Sequence, residues 1–422
     1  MTSAFTKQHT SAPPKFDFVA AHFQCETDRY SESNPTGFVN LGSAQNELHR
    51  ETIERRLMAV DSATEDRRYR PFAGTDECHR SIADYLGELG GVPVSPEHLV
   101  VGNGIISLLE SLTVALLDED ESVLIPTPVF PGLVAAMGLR VRSRVRFLHT
   151  EAASDFRLFP ADLESRLRKL AAEGEHVRAI LLTSPGNPIG QVFSLREMQQ
   201  FLAIAEAFDC ALIVDEVYAG SVFSDQPFES ATALQSDNVH VLGGLSKDFG
   251  LAGYATGWIH STNQAVLAAV AKQSHFFRLP APVQRVISTM LEPDWRRDYL
   301  RSHRESLSLA YETARRTLQA SGIDVVEANA GLCLWINLRK YLPTPDLDGE
   351  FALYERLLNE HRVHISPGTG FKTESVGFFR LCFSQPPELL MEGLRRIIEG
   401  LRAGTDSDRG LSVAEKVYVE TS

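Results

Sequence analysis

Gly243-Gly244-Leu245-Ser246-Lys247-Asp248-Phe249-Gly250-Leu251-Ala252-Gly253, entered from the apolar run Val239-His240-Val241-Leu242, is the stretch on which the reading of the chain turns. The run is apolar and β-branched, as a buried strand is, and the glycines after it make a tight loop carrying one lysine. Two readings of Lys247 are open. It is a solvated loop lysine, or it is an amine held among small residues at the mouth of a strand. In the second case desolvation favours the neutral form that Schiff-base chemistry requires. That reading demands partners elsewhere in the sequence.

Outward from this loop, short apolar runs alternate with helical periods. Strands at 98–101, 122–125, 145–148, 179–183, 211–214 and 239–242 are separated by helices at 104–117, 131–137, 160–172 and 195–208. Strands that are apolar throughout and alternate with helices predict an α/β fold, a largely parallel sheet covered on both faces. Ligands of such sheets sit at the carboxyl ends of the strands. A strand at 258–260 and helices at 263–275, 281–291 and 294–321 follow. Beyond Gly322 the pattern becomes α+β, with strands at 333–338, 363–366 and 378–383 and helices at 351–360 and 388–401.

The composition narrows the partners. The chain has 422 residues, 43% of them hydrophobic, and a formal charge of -14, which opposes a nucleic-acid or anionic-membrane partner. No run approaches the eighteen or so apolar residues of a bilayer span. The five cysteines, odd in number and widely spaced, predict reduced thiols and a cytoplasmic setting. His361 and His364 straddle a helix end, so no metal site is expected.

The candidate chemical groups follow the strands. Asp215 in Val214-Asp215-Glu216-Val217-Tyr218 ends a buried run and either caps the next helix or meets a cation. A protonated pyridine nitrogen would serve, with Tyr218 near the ring's phenolic oxygen. Asn187 in Ser184-Pro185-Gly186-Asn187-Pro188-Ile189-Gly190 presents an amide at the same edge, or is only a turn. Gly104, Ile105 and Ile106 open a helix directly after a strand, where free amides can hold a phosphate. Phe130 in a proline-rich turn either stacks on a flat ring or packs in the core. Arg380, inside the apolar run Phe378 to Phe383, needs an anion: a substrate carboxylate or a structural ion pair.

In this order and spacing these residues resemble fold-type I pyridoxal-phosphate enzymes of the class I/II aminotransferase group, over about residues 38 to 402. Within the group, Ser246 to Leu251, Ala330 to Arg339 and Ser366 to Phe371 are similar to 1-aminocyclopropane-1-carboxylate synthases. The resemblance implies a large domain at 51–320 with a mostly parallel seven-stranded sheet. A smaller α+β domain is implied from 16–50 and 321–402, with a disordered lead at 1–15 and a polar tail at 403–422. It implies pyridoxal 5'-phosphate bound through Lys247, with Ser246 beside it. Asp215, Tyr218, Asn187 and Phe130 would hold the ring, and Arg380 the substrate carboxylate. Tyr69 would reach the phosphate of a partner subunit, making a homodimer, and Ala44, Gln45 and Phe72 would face an amino-acid substrate.

Four positions depart from the resembled pattern. Phe72 replaces a tyrosine, Gln45 a glutamate, Ala255 the arginine at the cofactor phosphate, and Gly244 the first serine of S-x-S-K. The implied reaction begins with Cα deprotonation of an α-amino acid. Elimination or replacement at Cγ, as on S-adenosylmethionine, ranks first, amino transfer to a 2-oxo acid second, and a non-catalytic cofactor sensor a remote third.

Overall fold

The structure, a computed structural model, describes residues 16–60, 67–141 and 143–419, with side chains to residue 403. The expected lead at 1–15 lies outside the described residues. In chain order the strands are β1 Val39–Asn40, β2 Leu99–Asn103, β3 Ser122–Thr127, β4 Arg144–His149, β5 Val177–Thr183, β6 Ala211–Asp215 and β7 Val239–Gly243. They continue with β8 Thr256–Ser261, β9 Asp324–Val326, β10 Cys333–Asn337, β11 Val363–His364, β12 Ser366–Pro367 and β13 Phe378–Cys382.

Seven strands form one sheet in the order β2-β8-β7-β6-β5-β3-β4. All run parallel except β8, which is antiparallel to both neighbours. Helices cover both faces, and alternation along β6 shows it. Ile213 packs with Leu109, Leu112 and Ile125 on one side. Leu212 and Val214 pack with Leu163, Leu167 and Phe201 on the other. Such central side chains are fully buried, and truncating one to alanine costs roughly 2–5 kcal/mol.

The parallel register brings the ends of β5, β6 and β7 to one edge. Because β8 is antiparallel, its beginning lies there too, opposite the end of β2 through the pair Asn103 and Thr256. Residues after β2, β5, β6 and β7, and residues before β8, therefore meet.

A second sheet, β12-β13-β10-β9, is antiparallel, and β1 pairs in parallel with β11. Helix Pro293–Ala320 connects the two cores: Tyr299 and Leu300 pack beside the large sheet, while Leu307, Tyr311 and Leu318 pack beside β10 and β13.

Several elements differ from expectation, strand β9 among them, which has no expected counterpart. The single strand expected at 363–366 is two strands in different sheets, because the chain leaves β1 after His364 and joins β13 at Ser366. Helix Phe18–Glu26 is unpredicted; Asp17 caps it by accepting from the amides of Val19 and Ala20. The polar tail expected from residue 403 is instead helical to Val419 as part of helix Pro387–Val419, with no proline after Pro387 to break it.

Candidate active site

A cavity of about 460 Å³ opens at the shared strand edge. Asp215 enters it from the end of β6, Asn187 from the loop after β5, and Ser246 and Lys247 from the loop after β7. Gly104, Ile105 and Ile106 begin the helix that follows β2, and Phe130 precedes the helix that follows β3. Arg380 projects from β13, Ala44 and Gln45 come from the loop after β1, and Tyr218 stands three residues beyond Asp215. The structure thus joins twelve expected residues in one cavity.

Lys247 is anchored through its backbone. Nδ2 of Asn46 donates to the carbonyls of Lys247 and Asp248 at 3.1 Å each, and the Tyr299 hydroxyl donates to the Asp248 carbonyl at 2.8 Å. The buried Asp248 carboxylate accepts from Gly220 N at 2.7 Å and Ser221 Oγ at 2.5 Å. Nζ of Lys247 donates to the Ala44 carbonyl at 2.8 Å. Burial, and then the nearby Arg380 guanidinium, pull its ammonium below the ordinary lysine value, toward the neutral amine.

Asn187 bridges two groups. Its Nδ2 donates to the Tyr218 hydroxyl at 3.2 Å, and its Oδ1 accepts from Nη1 of Arg380 at 3.1 Å. Burial raises the Tyr218 phenol well above its usual value, so it stays protonated and keeps a proton to donate. Arg380 gives Nη2 to the Gly42 carbonyl at 2.5 Å, while its Nε is buried without a partner. No carboxylate pairs with it among the described residues. A buried guanidinium in this state calls for an anion.

Asp215 presents the opposite need. Among the described residues its carboxylate accepts only from Val217 N, at 3.1 Å. Burial pushes its pKa up to about 7, against the lowering effects of that amide and of Lys247. A cation at this carboxylate would restore its charge. At the other end of the cavity Asn103 makes no side-chain cap, leaving the first amides of helix Gly104–Leu116 open. Gly257 lets this turn approach, since a Cβ there would lie 2.8 Å from Gly104 C and 2.9 Å from Ile105 N. An acid for a ring nitrogen, an amine for an aldehyde and open helix amides for a phosphate fit pyridoxal 5'-phosphate.

Ala255 lines the cavity beside these open amides and supplies no charge. Arg278 does not reach that end: it lies over the Phe72 and Tyr69 rings at 4.9 and 5.7 Å, in a separate cavity with Arg67, Arg68 and Arg70. Tyr69 is 87% exposed, so Tyr69 and Phe72 do not join the cavity of their own chain. Phe18, His22, Ser43 and Leu133 do line it, and sequence reasoning missed them. Asp17, an N-cap type ahead of an apolar run, was the available signal for the helix carrying two of them.

The fold and this cavity define an α/β enzyme built around a phosphorylated aldehyde cofactor. The chain belongs to the aminotransferase class I and II family, whose model matches residues 36–397, and its cofactor is pyridoxal 5'-phosphate. It is 32% identical over 389 residues to human 1-aminocyclopropane-1-carboxylate synthase-like protein 1, covering 88% of this chain and 77% of that protein. It is 29% identical over 395 residues to 1-aminocyclopropane-1-carboxylate synthase 7 of Arabidopsis thaliana, covering 88% of each. Aspartate aminotransferase from Thermus thermophilus, solved with maleate, shares the fold with a TM-score of 0.78 at 21% identity, covering 95% of this chain and 99% of that one. No helix among the described residues is long and apolar enough to cross a membrane.

Proposed function

We propose that this enzyme removes the Cα proton of an α-amino acid, with Lys247 as the base, and goes on to eliminate or replace a group at Cγ. The observation that carries the first step is the convergence of a neutral-leaning amine, an unpaired buried guanidinium and an unpaired buried carboxylate on one cavity. Bound there, pyridoxal 5'-phosphate supplies a protonated ring that draws electrons from Cα.

Arg380 and the Asn187 amide hold the substrate carboxylate, which fixes Cα relative to Nζ of Lys247. Asp215, ionised by its cationic partner, keeps the ring nitrogen protonated. Tyr218 would donate to the phenolic oxygen, Phe130 would pack on the ring, and Ser246 with the amides of Gly104, Ile105 and Ile106 would receive the phosphate. Lys247 takes the proton and can return it elsewhere on the substrate. In this reading the chain is a homodimer in which the exposed Tyr69 reaches the partner's phosphate and Phe72 follows it toward the partner's substrate.

The γ-chemistry rests on kinship with the synthase-like relatives. Amino transfer is the second reading, favoured by Gln45, an amide where those synthases carry a glutamate. The test is product analysis with S-adenosylmethionine and with homoserine derivatives that bear an acyl or phosphoryl oxygen at Cγ. Release of the leaving group supports γ-chemistry. Keto acid formed from common amino acids, with no leaving group released, would establish amino transfer instead.

A further inference from the structure

Helix Phe18–Glu26 lays Phe18 and His22 into the cavity. The two are four residues apart and share a helix face. The Phe18 ring lies 5.7 Å from the Arg380 guanidinium and 6.2 Å from the Phe130 ring, which places His22 one turn beyond the carboxylate clamp. It stands there in a defined hydrogen-bonding state. Oδ1 of Asn40 accepts from the amides of Gly42 and Ser43 at 3.1 Å each, so Nδ2 must be the atom facing Nδ1 of His22, at 3.2 Å, and Ser43 Oγ, at 3.2 Å. A donor pointed at Nδ1 makes Nδ1 an acceptor. Ser43 Oγ, 2.9 Å away, then donates to the same atom. The ring proton is left on Nε2, and Nε2–H has no partner among the described residues.

The charges of the lining point the same way. Arg380 is a cationic group of the cavity, and Asp215 is its single carboxylate among the described residues. Asp215 sits at the ring end and is matched there by the cofactor. Gln45, beside Ser43 on the loop that faces His22, contributes a neutral amide whose side chain makes no hydrogen bond among the described residues. A cation at this end would meet the fixed His22 N–H and no counter-charge, whereas an acceptor oxygen would meet that donor and an amide free to turn its Nε2 toward it.

We propose that His22 and Gln45 form the side-chain end of the substrate site and select an α-amino acid whose side chain ends in an acceptor oxygen over one that ends in a sulfonium or ammonium. The proposal rests on the placement of the substrate carboxylate at Arg380 and narrows it: for γ-chemistry, the departing group is joined through oxygen rather than through a sulfonium. Asn40 is a positioning residue that sets the tautomer.

The test is a titration of the holoenzyme followed by cofactor absorbance, with alanine, leucine, glutamine, glutamate, lysine and S-adenosylmethionine as ligands, in wild type, His22→Phe and Gln45→Glu. Glutamine and glutamate are expected to bind about tenfold tighter than leucine or lysine, as a site that hydrogen-bonds its ligand discriminates. His22→Phe removes that advantage and leaves alanine, whose methyl cannot reach the helix, unchanged. Gln45→Glu tightens lysine and S-adenosylmethionine. Equal or tighter binding of the cationic ligands by wild type overturns the proposal, as does an equal loss of alanine and glutamate in His22→Phe. If wild type binds no amino acid, alanine included, the Cα reading itself falls and takes this one with it.

Discussion

The Arg380 guanidinium reaches Oδ1 of Asn187 at 3.1 Å while its own Nε is buried without a partner. The arginine is therefore oriented by an amide and pairs with no carboxylate among the described residues, as the proposed carboxylate clamp requires. Arg380→Lys keeps a charge but loses the planar fork. It should raise KM for the amino acid by roughly 10²-fold and change cofactor affinity little. An unchanged KM would remove Arg380 from the substrate site.

Asp215 makes the cofactor-free protein pH-sensitive in a defined direction. Its folded pKa of about 7 stands above the 3.8 of the free side chain. The folded state thus holds the proton more tightly, and the stability that this provides declines as pH rises from the unfolded pKa through about 7. Asp215→Asn should make the cofactor-free protein melt higher than wild type at pH 8 and by a smaller margin at pH 5, while weakening cofactor binding. Lower melting of the variant at pH 8 would mean that the carboxylate has a partner in the cofactor-free state.

Gly244 and Ala255 depart from the resembled pattern for different physical reasons. A Cβ on Gly244 would lie 2.5 Å from the Thr256 carbonyl oxygen, so Gly244→Ser should cost about 1–3 kcal/mol and lower the melting temperature. Ala255 already holds φ 47°, and a longer side chain there extends from the cavity wall. Ala255→Arg should leave stability unchanged and tighten cofactor binding about tenfold by adding a charged hydrogen bond to the phosphate. Equal stability of the two variants, or no gain in cofactor affinity, would contradict this account of the phosphate end.

The parts of this arrangement that were legible in the sequence are those that local order determines. Lys247, Asp215 and Asn187 each come just after a buried apolar run, and a parallel sheet brings such positions to one edge whatever else the chain does. Arg380 stood out as a charge inside an apolar strand. His22 did not, because its helix has little amphipathic pattern, with Val19 and Phe23 exposed, and is seated at the site through contacts of Phe18 with Phe130, Phe371 and Arg380 far along the chain. The division of 363–366 between two sheets was hidden for a similar reason: strand period reveals which face a residue takes but not which neighbour it joins. Tyr69 and Phe72 lie outside the cavity of their own chain, so a reading of that chain alone cannot place them.

The central claim is that Lys247 takes the Cα proton of an amino acid held by Arg380. Proton NMR of alanine and glutamate incubated with the holoenzyme in D2O measures that step independently of any later chemistry at Cγ. The account predicts loss of the Cα proton signal with wild type and a rate lower by at least about 10³-fold with Lys247→Ala, in the range for removing a general base. Exchange by Lys247→Ala at the wild-type rate, or no exchange by a wild-type enzyme that binds both amino acids, would contradict it.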